Sequence, residues 1–265
     1  MKVAWVTGAS SGIGEALTRQ LATQGWCVIA QGRRKDRLEI LAASYPDQII
    51  PFVGDVRDED ACMKVPELAQ ERFGRLHAVI ANAGISHRAL VEEVSLQVLR
   101  EVMEVNFWGA VHVIKAALPL IKVNQGWIVG ISSIAGFRGL PARSGYSASK
   151  FALNGFLEAL RTELYGSGVC VLTVAPGFTR SEIREKALTA TGLPQAESPL
   201  PEHKLMSAEA VAERIYRAML RRKKYLVLTR QGRLTVWLNR FLNGALDKFI
   251  YQHFVQEPGS PLKKI

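Results

Sequence analysis

The chain has 265 residues, of which 48% are hydrophobic and 22% are charged. This composition is typical of a folded globular domain and excludes a disordered chain, and no apolar run approaches the roughly 20 residues that a membrane-spanning helix needs. The net charge is +10, and residues 221–265, with ten basic and two acidic residues, carry +8 of it.

Short apolar runs alternate with longer helical patterns along most of the chain. We predict strands at 3–6, 28–30, 49–53, 78–81, 127–131, 169–175 and 225–229, and helices at 12–23, 35–44, 58–73, 95–122, 147–166 and 207–220. This alternation predicts βαβ units and a doubly wound parallel sheet, that is, a three-layer α/β/α Rossmann fold. We expect one catalytic domain at 1–230 and a basic amphipathic extension at 231–265.

A glycine-rich turn, TGASSGIG at 7–14, follows the first predicted strand and starts the first helix. Glycines let the backbone approach a pyrophosphate, and the start of a helix offers free N–H groups to it. The turn therefore predicts a dinucleotide site. The residues that we assign to it here are Gly8, Ser10, Ser11, Gly12, Ile13 and Gly14.

The glycine spacing, T-G-x-x-x-G-x-G, resembles that of the short-chain dehydrogenase/reductase family, classical branch, and other landmarks of this family recur up to about residue 180. The resemblance implies hydride transfer between a nicotinamide cofactor and a carbonyl or alcohol.

The end of the second strand bears on the choice of cofactor. NAD-preferring relatives carry an aspartate at the position of Gly32, which binds the ribose hydroxyl and repels a phosphate. Here that acid is absent, and Arg33 and Arg34 follow. A guanidinium pairs well with a 2′-phosphate, so we expect NADPH to bind more tightly than NADH. Ser11 stands where many NADP enzymes have Lys or Arg, which makes the expected preference milder.

Three further landmarks follow predicted strands, where an open parallel sheet binds its ligands. By resemblance, one holds the adenine, one lines the adenosine and one positions the nicotinamide amide. They are Asp55 and Val56, then Asn82, Ala83 and Gly84, then Pro176, Gly177 and Thr179.

Asn106 lies inside the predicted helix 95–122. Asparagine disfavours helix interiors because its side chain competes for backbone groups, so we expect a water or lysine partner. In the family, the matching asparagine supports a proton relay to the lysine.

Tyr146 and Lys150 lie four residues apart at the start of a helix, which places them on one face. A nearby ammonium favours the phenolate, so we expect a tyrosine pKa below its ordinary value of about 10. Such a tyrosine can exchange a proton with a carbonyl or alcohol oxygen. The family's catalytic serine matches Ser133, with Ser132 as the competing candidate. The resemblance thus implies a catalytic set of Asn106, Ser133, Tyr146 and Lys150, of which Tyr146 and Lys150 also bind the cofactor.

Residues 178–205 match the family's substrate lid and carry Phe178, Ile183, Leu188, Leu193 and Leu200, with no charge cluster suited to a phosphate or diacid. We expect His87 and Arg88 to lie at the rim of the site.

In the tail, apolar residues recur every three or four positions, which predicts one amphipathic helix. Its apolar face either packs on the protein or a second subunit, or lies on an anionic membrane. These residues are Leu234, Trp237, Leu238, Phe241, Leu242, Ala245, Phe249 and Ile250.

Together these patterns predict an NADP(H)-dependent carbonyl reductase or alcohol dehydrogenase with a hydrophobic substrate. We further expect a homo-oligomer, no metal, no nucleic-acid partner and a cytoplasmic location, with peripheral membrane contact through the tail as the alternative to its packing on the protein or a second subunit. The three cysteines show no pairing or metal spacing, which is typical of a reducing compartment. The alternatives are a non-catalytic dinucleotide sensor or membrane-associated binding protein on the same fold. A sugar-nucleotide epimerase is disfavoured by the glycine spacing.

Overall fold

The computed structural model describes residues 1–196, 205–241 and 243–264, and in these residues seven parallel strands form one sheet. The strands lie in the order β3-β2-β1-β4-β5-β6-β7, so the direction of winding reverses between β1 and β4. Such a reversal opens a crevice at the carboxyl ends of the strands. The predicted doubly wound fold is confirmed. The strands are β1 (Val3–Thr7), β2 (Cys27–Gly32), β3 (Ile49–Val53), β4 (Ala78–Ala81), β5 (Trp127–Ile131), β6 (Cys170–Ala175) and β7 (Tyr225–Val227).

Helices cover both faces of the sheet. Those of the body are α1 (Gly12–Thr23), α2 (Lys35–Ala43), α3 (Glu59–Phe73), α4 (Leu96–Met103), α5 (Gly109–Val123), α6 (Ser144–Glu163) and α7 (Ala208–Leu220). The tail forms α8 (Arg230–Phe241) and α9 (Asn243–Val255).

The hydrophobic core lies on the two faces of the sheet. On one face, Leu17 and Leu21 of α1 pack with Ile215 of α7. On the other, Ile114 of α5 packs with Leu157 of α6. All five side chains are fully buried, and burial of each stabilises the fold by about 1.5–3 kcal/mol. These layers hold the strand ends, and therefore the crevice, in fixed positions.

The predicted helix 95–122 is not regular. A π-helical turn, Glu104–Trp108, separates α4 from α5 and contains Asn106. Wider turns of this kind occur often at functional sites.

The described part of the tail is helical in α8 and α9, and its buried apolar helix residues lie in α9. Leu246, Ile250 and Phe254 of α9 pack against Leu90 and Ala142 of the body. One predicted tail residue, Leu242, lies outside the described residues, and the side chain of Ala245 does also.

The first tail helix keeps an apolar stripe in solvent, with Leu234, Trp237 and Phe241 each more than half exposed. Among the described residues, no helix combines the length and apolarity needed to cross a bilayer.

Candidate active site

The glycine turn lies directly after β1 and is tied to the end of β4. Asn82 donates from Nδ2 to the carbonyl of Thr7 at 2.8 Å, and the Thr7 hydroxyl accepts from the backbone N–H groups of Asn82 and Ala83 at 3.0 and 3.1 Å. The first and fourth strand ends therefore form one unit at the point where the winding reverses. Two landmarks that the sequence assigned to the cofactor lie side by side here.

The turn has the close approaches that make glycine necessary. Gly8 and Gly12 have positive φ angles of 65° and 55°, which disfavour other residues. A Cβ at Gly14 would lie 2.3 Å from the Gly8 carbonyl oxygen. The Ser11 side chain makes no capping hydrogen bond to α1 in the described part of the chain. This backbone fits a dinucleotide pyrophosphate, because it leaves room for it at a helix N-terminus.

Asp55 and Val56, which the sequence assigns to the adenine, are each fixed by neighbouring residues. Asp55 accepts a 2.8 Å hydrogen bond from Arg57 and lies 3.9 Å from Arg33. Burial alone would raise the pKa of Asp55, but its hydrogen bonds from Arg57 outweigh this and lower it. Val56 is buried and packs so closely on Gly109 that a Cβ at Gly109 would lie 2.5 Å from it.

The two arginines after β2 have different surroundings. The Arg33 side chain is 62% exposed and has Asp55 as its neighbour. Arg34 donates to both the hydroxyl and the carbonyl of Ser10, at 3.3 and 3.1 Å, and pairs with Glu182 of the lid at 2.8 Å. Sequence reasoning missed Glu182, which lies 148 residues from Arg34.

Within the part of the chain that the structure describes, Asn106 has three side-chain hydrogen bonds, and their partners are Ile85 and Ser149, not a lysine. Its amide nitrogen donates to the carbonyl of Ile85 and to the Ser149 hydroxyl, both at 2.9 Å, and its oxygen accepts from the backbone N–H of Ile85 at 2.8 Å. Lys150 lies on the same side of Gly84 as Asn106. A Cβ built at Gly84 would lie 3.1 Å from the Asn106 oxygen and 3.5 Å from the Lys150 Nζ.

Lys150 is buried beside Tyr146. Its Nζ donates to the carbonyl of Ile131 at 2.9 Å and lies 5.8 Å from the centre of the tyrosine ring. Burial lowers the pKa of Lys150 to about 8. The lysine is therefore fixed under the carboxyl end of β5, within reach of the phenol.

Ser133 is the serine that acts on Tyr146, because its hydroxyl lowers the pKa of the phenol, and the same hydroxyl accepts from the N–H of Ala135 at 3.1 Å. Ser132 instead faces the backbone of α6, 3.5 Å from the Lys150 carbonyl oxygen. The geometry thus separates the two candidate serines.

The pKa of Tyr146 departs from the sequence expectation. Burial raises it, and the hydrogen bond with Ser133 and the charges of Arg143 and Arg184 lower it by less, so the pKa lies above its ordinary value. The spacing predicted a lowered pKa from the nearby ammonium alone, and it could not show the burial that raises the pKa.

The expectation that His87 and Arg88 form the rim is wrong. His87 is fully buried and accepts at Nε2 from the backbone N–H of Gly145 at 2.8 Å. The Arg88 side chain is 8% exposed and pairs with Glu257 of the tail, which also pairs with Arg143 at 3.0 Å. His87 and Glu257 therefore support the residues just before Tyr146, a role that no local pattern reveals.

The described part of the lid begins beside the glycine turn. Thr179 is buried and donates to the Gly177 carbonyl at 3.1 Å, and a Cβ at Gly177 would lie 2.7 Å from Thr229. Leu193 is 66% exposed, so it does not line the crevice as an enclosed residue. Leu200 lies outside the described residues.

Ile183 and Leu188 are partly buried. A cavity of about 290 Å³ lies between the lid and the glycine turn. A larger one, of about 550 Å³, lies between α6 and α9, and neither Ser133 nor Tyr146 lines it. Within the described ranges, no group of three or more His, Cys, Asp or Glu residues is arranged to hold a metal ion.

Comparison with known proteins gives a consistent result. The family model described as short chain dehydrogenase matches residues 2–191. An 11-beta-hydroxysteroid dehydrogenase A from Sesamum indicum is 32% identical, over 99% of this chain and 78% of that protein.

Two solved structures are similar throughout. A short-chain dehydrogenase from Streptomyces avermitilis has a TM-score of 0.79 and 29% identity and covers 94% of each chain. An alcohol dehydrogenase from the archaeon Thermococcus sibiricus, complexed with 5-hydroxy-NADP, has a TM-score of 0.75 and 28% identity, over 86% of this chain and 96% of that one.

Proposed function

This chain belongs to the short-chain dehydrogenase family, and from that premise we propose that it is an NADP(H)-dependent oxidoreductase that interconverts a hydrophobic ketone and its secondary alcohol. The family binds a nicotinamide dinucleotide and acts on CH–OH and C=O groups. The observation that carries the proposal is the placement of Tyr146, which has the buried Lys150 Nζ 5.8 Å from its ring and the Ser133 hydroxyl acting on its phenol.

The proposed mechanism assigns each step at the substrate oxygen to a residue of this chain. The bound cofactor supplies or accepts the hydride. Ser133 holds the substrate oxygen by a hydrogen bond, and Tyr146 donates its hydroxyl proton to that oxygen in reduction or accepts one in oxidation. Lys150, as an ammonium, stabilises the phenolate that remains. Asn106 positions this helix through Ser149.

The proposed preference for NADPH depends on the arginines after β2. A 2′-phosphate carries about −1.5 to −2 charges, and Arg33 exposes most of its side chain toward solvent at this strand end. No aspartate occupies position 32 to repel it. One charge-assisted contact supports a preference of roughly ten- to hundredfold.

The proposed hydrophobic substrate is supported by the ion pairs and apolar contacts of the residues near α6. Arg88 and Arg143, which lie close to the catalytic helix, both pair with Glu257. Leu90 and Ala142, beside them, are packed under Phe254. One relative, whose match covers 99% of this chain at 32% identity, is named a hydroxysteroid dehydrogenase. That name agrees with an apolar, ring-containing substrate.

The tail supports a proposed contact with an anionic membrane. The exposed stripe of α8, Leu234, Trp237 and Phe241, lies in the segment that holds most of the net positive charge. Basic residues beside an apolar helix face favour anionic lipid. The three cysteines are free and buried, which supports the cytoplasm as the proposed location.

We also propose a homo-oligomer with no nucleic-acid partner. Trp108 and Phe151 are exposed beside α5 and on α6, and a second copy of the chain would cover such aromatic side chains. Light scattering after gel filtration tests the assembly.

The test of the function is turnover. Purified protein is supplied with NADPH, and separately NADH, and a panel of steroid, aromatic and short aliphatic ketones, with absorbance at the nicotinamide band as the readout. We expect consumption of NADPH with apolar ketones. A protein that binds NADPH but turns over no member of the panel, in either direction, would support the sensor alternative instead.

A further inference from the structure

One lid carboxylate joins the lid to the cofactor side of the crevice. Glu182 lies 2.8 Å from Nη1 of Arg34 and 2.6 Å from Nη1 of Arg37, and it also pairs with Lys186 of the lid. Its side chain is only 31% exposed. Three cations on a single partly buried carboxylate form a specific contact rather than a casual surface pair.

Arg34 connects this contact to the glycine turn. Its remaining guanidinium nitrogens donate to the hydroxyl and carbonyl of Ser10. The lid itself is close, because a Cβ at Gly12 would lie 3.2 Å from Cβ of Ser181, the residue before Glu182. The carboxylate therefore links the lid to Arg34, one of the two arginines on which the proposed NADPH preference depends.

We propose that Glu182 is a cofactor-specificity residue of the lid, whose carboxylate occupies the face of Arg34 that a 2′-phosphate would otherwise use. This inference rests on the proposed NADP(H) dependence. NADPH must displace Glu182 from Arg34, whereas NADH, which lacks the phosphate, leaves the pair in place. Glu182 thus weakens NADPH binding selectively and couples the lid to the identity of the cofactor.

The electrostatics around Glu182 agree with a carboxylate that remains charged. Burial alone would raise its pKa, but hydrogen bonds from Lys186, Arg37 and Arg34 lower it to about 2. At neutral pH the carboxylate and a phosphate dianion would therefore repel one another and compete for the same guanidinium groups.

The experiment measures dissociation constants of NADPH, NADH and 2′,5′-ADP by fluorescence and calorimetry, without turnover. The variant is Glu182→Gln, which keeps the shape and removes the charge. The matched control is Glu185→Gln, which removes the same charge from an exposed lid residue. We expect Glu182→Gln to tighten NADPH and 2′,5′-ADP about three- to tenfold, as for loss of one or two partly exposed ion pairs. NADH should change no more than it does in the control.

Equal changes for NADPH and NADH, or no change for either, would overturn the inference. The same measurements distinguish a failure of the proposed NADPH preference from a failure of the proposed role of Glu182. A wild-type protein with equal affinities for NADPH and NADH contradicts the proposed preference, while the effect of Glu182→Gln on 2′,5′-ADP still decides the role of Glu182.

Discussion

The amide nitrogen of Asn106 donates a 2.9 Å hydrogen bond to the hydroxyl of Ser149, the residue next to Lys150. The same asparagine side chain forms two further bonds to the backbone of Ile85. The π-helical turn therefore connects the segment after β4 to α6, the helix that carries Tyr146 and Lys150. We infer that Asn106 acts on the reaction by fixing where Lys150 lies.

The first prediction concerns this connection. Asn106→Ala should lower the free energy of unfolding by about 2–4 kcal/mol, because it leaves the backbone N–H and C=O of Ile85 without the asparagine and removes one of the two hydrogen bonds of the Ser149 hydroxyl. It should also lower kcat by more than the fraction of protein that is unfolded at the assay temperature accounts for. Thermal unfolding and kinetics are measured on the same samples.

Ser149→Ala is the matched control, because it removes only one of the three bonds of Asn106, together with the bond from Ser149 to the Tyr146 carbonyl. It should cost about 1–2 kcal/mol. If Asn106→Ala is no less stable than Ser149→Ala, the connection described above is not important for the fold.

The second prediction concerns the arginines after β2. Arg33→Ala should narrow the NADPH-to-NADH affinity gap by roughly ten- to hundredfold, the value of one charge-assisted contact. Raised salt should weaken NADPH more than NADH, because the phosphate contact is screened. Both effects are read from dissociation constants.

Lys35→Ala is the control for the arginines, since Lys35 is 72% exposed and pairs only with the neighbouring Glu39 among the salt bridges of the described residues. An unchanged gap in Arg33→Ala would show that Arg33 does not read the phosphate.

The third prediction concerns pH. Burial lowers the pKa of His87 from 6.5 to about 4, so the folded protein holds this histidine neutral. Stability from this group is complete above pH 6.5 and is lost as the pH falls toward 4, by about 2–3 kcal/mol in total. His87→Gln, which can still accept from Gly145, should flatten this part of the stability curve.

Denaturant titrations at several pH values between 4 and 7.5 measure the effect. The control is His253→Gln, at an exposed position of α9. If the stability of His87→Gln falls with pH as steeply as that of the wild type, other groups cause the acid sensitivity.

The fourth prediction concerns the tail. The protein should co-sediment with vesicles that contain anionic lipid, at low salt, and less as salt rises. Trp237→Ala with Phe241→Ala should weaken this binding, because both side chains are exposed on α8. Tyr165→Ala removes an aromatic residue that is 91% exposed elsewhere and should have no effect. Absence of wild-type binding at low salt would eliminate the membrane proposal.

Much of the fold follows from local pattern. Alternating apolar runs and helical periods located all seven strands, and the glycine turn and the Tyr146–Lys150 spacing located the crevice, because each depends on residues close in sequence.

The missed features are long-range. Glu182 meets Arg34 across 148 residues, and Glu257 meets Arg143 across 114. Burial of His87 depends on the N-terminus of α6, 58 residues away. The raised pKa of Tyr146 likewise results from burial, which the spacing to Lys150 does not reveal. These ion pairs and hydrogen bonds each depend on one charged or imidazole side chain, so they produce no periodic pattern in the sequence.

The central claim is that Tyr146 is the proton donor and acceptor of a nicotinamide-dependent oxidoreductase. Its most direct test is Tyr146→Phe, with kcat measured on the best substrate of the ketone panel and NADPH affinity measured by fluorescence. Loss of a positioned general acid should lower kcat by about 10²–10⁴-fold, while the dissociation constant for NADPH stays within about twofold, a free-energy change below about 0.4 kcal/mol. A Tyr146→Phe protein that keeps wild-type kcat would contradict the account.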